Sequence, residues 1–159
     1  MALLQQRVVV VHGPKAVRCQ RELAELPVQH VINDSWENGI ASSLRAGIRA
    51  LPPHCRGVLI LLCDQPLIRP EHLHGLLQAW AEDPSRIVAA GYADDVGAPA
   101  VFPAHCFDAL RALSGDMGAR QMLHRHRDVL CTIPMQEAAL DIDTQADYEA
   151  LLRNSLTSG

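Results

Sequence analysis

Apolar residues in this chain fall into two patterns, short unalternating runs and longer stretches at helical spacing, and the two follow one another along the sequence. Gly57-Val-Leu-Ile-Leu-Leu-Cys63 is apolar throughout, as expected of a strand buried on both faces of a parallel sheet. It stops at Asp64-Gln65-Pro66. A stripe of Leu73, Leu76, Leu77, Trp80 and Ala81 then runs from Pro70, with proline at a good first helical position and Glu71 beside it. The segment reads strand, turn, helix, with Trp80 in the core. Arg7-Val-Val-Val-Val11 predicts a second strand suited to two-sided burial. His12-Gly13-Pro14 turns the chain, and Ala16, Cys19, Leu23 and Leu26 predict a helix from about Lys15 that Pro27 ends. Val28–Ile32 is the next strand, and this strand–helix–strand unit predicts a right-handed crossover.

Beyond the polar loop Asn33–Gly39, Ile40, Leu44, Ile48 and Leu51 recur at i, i+4, i+8 and i+11, one face of a helix stopped by Pro52-Pro53. Arg86–Tyr92 predicts a further strand, with Asp94-Asp95 in the turn after it. Gly97–Pro103 predicts a short strand and Ala104–Leu113 a helix. The glycine-bearing loop Ser114–Arg120 leads into a helix holding Met122 and Leu123, and Val129–Ile133 predicts the last strand. Thr144 and Asp147 are spaced as a capping box for a terminal helix running to about Arg153. Alternating strands and helices predict an α/β fold, a mostly parallel sheet covered on both faces, as a single domain over residues 1–159.

Composition narrows the function classes. At 159 residues, 48% hydrophobic and 20% charged, the chain can bury a substantial core and is globular. A net charge of −4 with scattered basic residues argues against nucleic acid as a partner. No apolar stretch approaches a bilayer span and no leader opens the sequence, so a cytoplasmic protein with no membrane partner is expected. The five cysteines are widely separated, with no C-x-x-C, which fits reduced thiols rather than a disulfide frame or a zinc site. His72 and His74, like His124 and His126, are two apart, a spacing that splits them between helix faces and disfavours joint metal binding.

The candidate chemistry is acidic. Asp64 follows a strand at its carboxyl end, where open α/β sheets place ligands, although Asp-x-Pro also serves as a plain turn. Ser42 and Ser43 lie in or near a first helical turn, where they can cap the helix or help hold an anion. Asp116 can cap the helix after it. Arg120 can bind a phosphate or pair with a carboxylate. The glycines match neither G-x-G-x-x-G nor G-x-x-x-x-G-K-[ST].

Five segments in order, N-D-S-W-E-N-G-I-A-S-S-L-R-A-G from Asn33, L-L-C-D-Q-P from Leu61, G-A-P-A-V-F from Gly97, S-G-D-M-G-A-R from Ser114 and D-I-D-T from Asp141, resemble the MobA-like nucleotidyltransferases. The closest resemblance within that group is to the molybdenum-cofactor cytidylyltransferases. It implies a three-layer α/β sandwich with a mostly parallel, Rossmann-like sheet of the nucleotide-diphospho-sugar transferase type. It also implies Mg²⁺-dependent transfer of CMP from CTP to molybdopterin with release of pyrophosphate. Asp64 matches the family's metal-binding aspartate, Asp143 the position of a second carboxylate, and Asp141 is a further metal candidate. Asn33, Gly39, Ser42 and Ser43 match the segment that contacts base and ribose, and G-I-A-S-S-L favours CTP over GTP. Gln65 belongs to the same nucleotide site, and Arg120 would lie on the pterin side.

The resemblance also exposes a departure. The family opens with a first strand and a glycine-rich loop resembling L-A-A-G-x-S-x-R-M-G-x-x-K, whereas this chain starts at what would be the second strand. The sheet is therefore expected to lack its first strand, and the strands at Val8–Val11 and Val58–Leu62 each to lack a neighbour. Direct closure of those strands, Met1–Gln6, or a second chain, as in a homo-oligomer, could cover the edges. The alternatives to molybdopterin transfer are a sugar-phosphate acceptor and a shortened, non-catalytic domain that binds a partner such as a molybdoenzyme.

Overall fold

The computed structural model describes residues 7–116 and 118–156. In chain order its elements are β1 (Val8–His12), α1 (Ala16–Glu22), β2 (Val28–Ile32), α2 (Ile40–Arg49), β3 (Gly57–Ile60) and α3 (Pro70–Glu82). There follow β4 (Val88–Tyr92), β5 (Asp95–Pro103), α4 (Phe107–Arg111), α5 (Gly118–Arg125), β6 (Cys131–Pro134) and α6 (Gln145–Leu156). They fall into two compact units, Met1–Val58 with Pro103–Arg125 and Leu59–Phe102 with His126–Gly159.

In the first unit the valine run forms β1, which pairs in parallel with β2 in a register from Val8 opposite Val28 to His12 opposite Ile32. The helix α2 approaches this pair closely at Gly47, where a Cβ would lie 3.2 Å from Val11 Cγ2. Its other neighbours are α4 and α5, and Ala41, Ile48, Phe107, Leu110, Leu113, Met122 and Leu123 are buried. Two expectations fail here. No residue of α1 is buried, with Cys19 and Leu26 exposed and Ala16 and Leu23 half-buried. Nor is β1 buried on both faces, since Val8 is 52% exposed. The common reason is that β1 has β2 as its strand neighbour in a sheet of two strands, which gives a covering helix little surface to bury.

The second sheet is ordered β3-β5-β4-β6 and belongs mostly to the second unit, Gly57 and Val58 of β3 and Pro103 of β5 falling within the first unit's bounds. The strand β3 is shorter than its apolar run, ending at Ile60 and leaving Leu61 exposed. It is the end strand of its sheet, with β5 as neighbour. Among the described residues β1 and β3 each have one strand partner. The proposed covering by Met1–Gln6 lies outside the described residues. The strand β6 runs parallel to β4, with Val88 opposite Cys131. By contrast β5 is antiparallel to β4, with Tyr92 opposite Asp95. Ala93 and Asp94 link them with positive φ of 49° and 60°, the left-handed conformation of a tight hairpin turn. Asp95, expected in the turn, opens β5 instead. Ala-Asp is a poor sequence signal for a turn usually made by Asn-Gly, so the hairpin was hidden.

The core of this unit joins Leu76 and Trp80 of α3 to Val88 and Ala90 of β4, Val101 of β5, and Met135 and Ala138. Each fully buried aliphatic side chain contributes about 1.5–3 kcal/mol. Trp80 packs as the helical stripe predicts. The architecture is α/β, with β1–β2 and β4–β6 paired in parallel and β4–β5 antiparallel. Among the described residues no helix is long and apolar enough to cross a membrane.

Candidate functional site

Asp64 stands four residues past the end of β3, in a turn held from within the second unit. The neighbouring Gln65 is buried, and its amide nitrogen donates to the carbonyls of Ala98 at 3.1 Å and Ala138 at 2.8 Å. Its nitrogen is thus engaged with backbone, which clamps the turn and leaves Asp64 a fixed orientation. The carbonyl of Asp64 accepts the Ile142 N–H at 2.8 Å, so the Asp141–Asp143 segment lies beside it. Around Ile142, which is half-buried, Asp141 and Asp143 are exposed, the alternation of extended chain. Asp147 Oδ2 accepts from the Thr144 hydroxyl at 2.7 Å and from the Thr144 and Asp143 N–H groups at 2.8 and 3.2 Å. Its own N–H donates to Thr144 Oγ1, completing the expected capping box and pinning the segment to α6. Hydrogen bonds from Thr144, side chain first, hold the Asp147 carboxyl below the usual carboxylate range.

The side chain of Asp64 differs from these. Among the described residues its Oδ1 is buried with no hydrogen-bond partner, an arrangement that costs free energy unless something else completes it. A hard divalent cation is suited to such an oxygen. Among the described residues no group of three or more His, Cys, Asp or Glu side chains surrounds a common point. Asp64, Asp141 and Asp143, all expected to hold a metal, therefore do not form one three-carboxylate group; an ion on Asp64 would have at most one further carboxylate and would need substrate oxygens for the rest.

The other predicted residues gather in the first unit. Asn33 is buried, and its amide nitrogen donates to Ser42 Oγ at 2.7 Å and Ser43 Oγ at 3.0 Å. Its Oδ1 accepts the Ser35 N–H at 3.0 Å, and the Ser42 hydroxyl donates to the Gly39 carbonyl at 2.8 Å. The N-cap of α2 is Gly39, not a serine; the serines instead tie the helix to the loop before it. Gly39 has φ 80° and ψ 177°, a conformation open essentially to glycine. A Cβ there would meet the Asp116 carboxylate and lie 2.7 Å from the Gly115 carbonyl group. The Gly115 carbonyl also accepts the Ala41 N–H at 3.2 Å, occupying one of the first-turn donors that an anion would otherwise use. The loop from Ser114 is thus laid over the start of α2. Asp116 and Arg120, with Gln121, His124 and Arg125, line an open depression of about 620 Å³.

Asn33, Gly39, Ser42, Ser43 and Arg120 thus belong to one unit, and Asp64, Gln65, Asp141 and Asp143 to the other. Sequence reasoning missed Gly115 and the basic lining of the depression. Neither has a local signal, because a backbone carbonyl is shared by every residue and His124 and Arg125 sit in an ordinary exposed helical face.

Comparison with known proteins shows the family and the fold. The family described as the MobA-like NTP transferase domain matches residues 1–129. The chain is 30% identical over 128 residues to the purine catabolism protein PucB of Bacillus subtilis, spanning 78% of this chain and 60% of that protein's length. The crystal structure of Rv0371c from Mycobacterium tuberculosis superposes with a TM-score of 0.79 at 27% identity, over 93% of this chain and 76% of that one. A second crystal structure of that protein is a complex with manganese. At 12% identity, where the likeness concerns the fold alone, CMP:2-keto-3-deoxy-manno-octonic acid synthetase complexed with CTP superposes with a TM-score of 0.70, over 97% of this chain and 82% of that one.

Proposed function

The chain belongs to the MobA-like NTP transferase family, and from that premise we propose that it transfers CMP from CTP to the phosphate of molybdopterin, in the cytoplasm, releasing pyrophosphate. In this reaction an acceptor phosphate oxygen bonds to the α-phosphorus of CTP while the bond to the β-phosphate bridging oxygen breaks. Little covalent work falls to the protein; alignment and neutralisation of charge do most of it. The observation that carries the reading is the buried Oδ1 of Asp64, unpartnered among the described residues, on a residue whose backbone carbonyl accepts the Ile142 N–H.

Asp64 and Asp143, with Asp141 as the further candidate, are the residues to hold Mg²⁺ or Mn²⁺. When bound, the ion supplies positive charge to the phosphate oxygens on which negative charge grows. Gln65 acts through its grip on two carbonyls, keeping the Asp64 turn in place. Asn33 orders Ser42 and Ser43 behind Gly39, which presents backbone rather than side chain to the base and ribose. Arg120 offers a guanidinium at the rim of the depression for the acceptor's phosphate. CTP is preferred over GTP because Gly39-Ile-Ala-Ser-Ser-Leu44 resembles the cytidylyl-transferring branch. The free thiols are consistent with a reducing compartment.

The test is pyrophosphate release by the purified protein with CTP or GTP, Mg²⁺ or Mn²⁺, and molybdopterin or a panel of sugar phosphates as acceptor. Asp64→Asn is expected to lower the rate by about a hundredfold or more. It should also abolish the rise in melting temperature that Mn²⁺ gives the wild-type protein. An unchanged rate in Asp64→Asn ends the assignment of that residue. Turnover confined to a sugar phosphate replaces the acceptor. Folded protein that binds no nucleotide points to a partner-binding domain instead.

A further inference from the structure

One ionisable pair in the first unit takes no part in the chemistry above. His12 ends β1 and His30 lies in β2, and His12 Nε2 and His30 Nδ1 are 2.8 Å apart. The rings stack with centroids 5.0 Å apart and planes inclined by 29°. At that separation one nitrogen donates and the other must accept through a lone pair, so the pair accommodates at most one imidazolium. A second proton sets N–H against N–H between two like charges. His12 is 4% exposed, so water does little to stabilise its charged form.

The pair is one hydrogen bond away from the loop described above. The carbonyl of His12 accepts the Asn33 N–H at 2.9 Å, and the Asn33 side chain holds Ser42 and Ser43. We propose that His12 and His30 form a proton-sensitive latch: doubly protonated, the pair parts the carboxyl ends of β1 and β2 and loosens Asn33, so that order in the 33–43 loop depends on pH. That the loop handles nucleotide rests on the function proposed above; the latch itself does not.

The elements packed most closely against β1 bring few other charges to the pair. β1 packs against β2 and α2. Neither strand carries another ionisable residue, and α2 brings only Arg45 and Arg49. Arg45 Nη1 donates to the Leu113 carbonyl, and Arg49 is exposed. Gly47 places α2 over Val11, and side chains alternate along a strand, so α2 covers the face opposite His12. Asp34 and Glu37, in the following loop, are exposed. Burial first, then the charge of His30, holds the His12 pKa below the ordinary value of 6.5. For a depressed histidine the stabilisation is complete above the unfolded-state pKa and is lost as pH falls through the folded one. The latch therefore opens on the acid side.

The experiment is NMR on the full chain without nucleotide, following both imidazoles and amide hydrogen exchange from about pH 7.5 to about pH 5. After correction for intrinsic exchange, protection of the Asn33 amide should fall about five- to tenfold, the effect of losing an ordinary hydrogen bond. The β4 amides of the second unit should hold their protection. In His30→Gln, which removes the partner imidazole, the Asn33 response should flatten. The latch is overturned if Asn33 protection stays level while the imidazoles titrate, if β4 opens in parallel, or if His30→Gln responds like wild type. Should that variant not fold, the wild-type series with its β4 control decides alone. A CTP titration on the same samples tests the link to nucleotide: absence of binding at every pH counts against the proposed function, while the exchange data still judge the latch.

Discussion

The Asn33 cluster and the Asp64 turn are both polar arrangements within apolar surroundings, yet they are finished differently. Around Asn33 the amide nitrogen, the amide oxygen and the Ser42 hydroxyl all have partners supplied by the chain itself. At Asp64 the backbone carbonyl is satisfied and the turn is clamped by Gln65, but Oδ1 is buried and left unpaired. A closed network rigidifies the loop that contains it. An incomplete one stores free energy that a ligand can release, which is why unsatisfied buried groups gather where something binds. The contrast is between a network the chain completes itself and a carboxylate oxygen that the described residues leave open.

Substitutions can break that contrast, and the largest effect on stability is expected at Gly39. Gly39→Ala places a Cβ against Asp116 and Gly115 at positive φ, so it should cost about 2–4 kcal/mol in denaturant unfolding. A cost near zero would mean that the loop from Ser114 does not rest on α2 as described. Next comes Asn33→Ala, which orphans Ser35 N–H and removes the donor to both serines. Its expected cost is about 1–3 kcal/mol. Asp64→Asn, measured without metal, should change stability by less than about 1 kcal/mol, since no protein hydrogen bond to Oδ1 is lost. If the two substitutions cost the same, the distinction between the sites disappears.

The smallest effect is at the capping box. Because the Asp147 carboxyl is depressed by its bonds to Thr144 and Asp143, its stabilisation is present above the unfolded carboxylate pKa and is lost as pH falls through the folded value. Acidification should therefore fray the start of α6. Thr144→Ala should raise the Asp147 titration midpoint back toward the ordinary aspartate value of 3.8, read from side-chain carboxyl NMR shifts. An unmoved midpoint would detach the Asp143 backbone from this cap.

Much of the fold is legible in local pattern. The helical stripe placed Trp80 and Leu76 in a core, Pro52 closely follows the end of α2 whereas α1 ends at Glu22, short of the expected Pro27, and Thr144 with Asp147 announced the last helix. The β4–β5 hairpin escaped because Ala93 and Asp94 adopt positive φ without the glycine or asparagine that marks such turns. The stripe on α1 misled, since helical spacing reports which side is apolar and not whether a partner covers it. At the candidate site, Asp64 was visible from its position after an apolar run. Gln65 was visible as a residue, although its nitrogen is bound to two carbonyls rather than open to a ligand.

The residue types and their spacing by themselves determined the alternation of strands and helices, the family, and which carboxylates and amides could do chemistry, because periodicity and side-chain chemistry are local properties. Only the tertiary structure decided that Ile142 docks on Asp64, that Gly115 caps the approach to α2, and that one oxygen of Asp64 is left without a partner. Those facts depend on which distant backbone groups meet. A hydrogen bond across many residues is set by the packing of whole elements, and no stretch of sequence carries it alone.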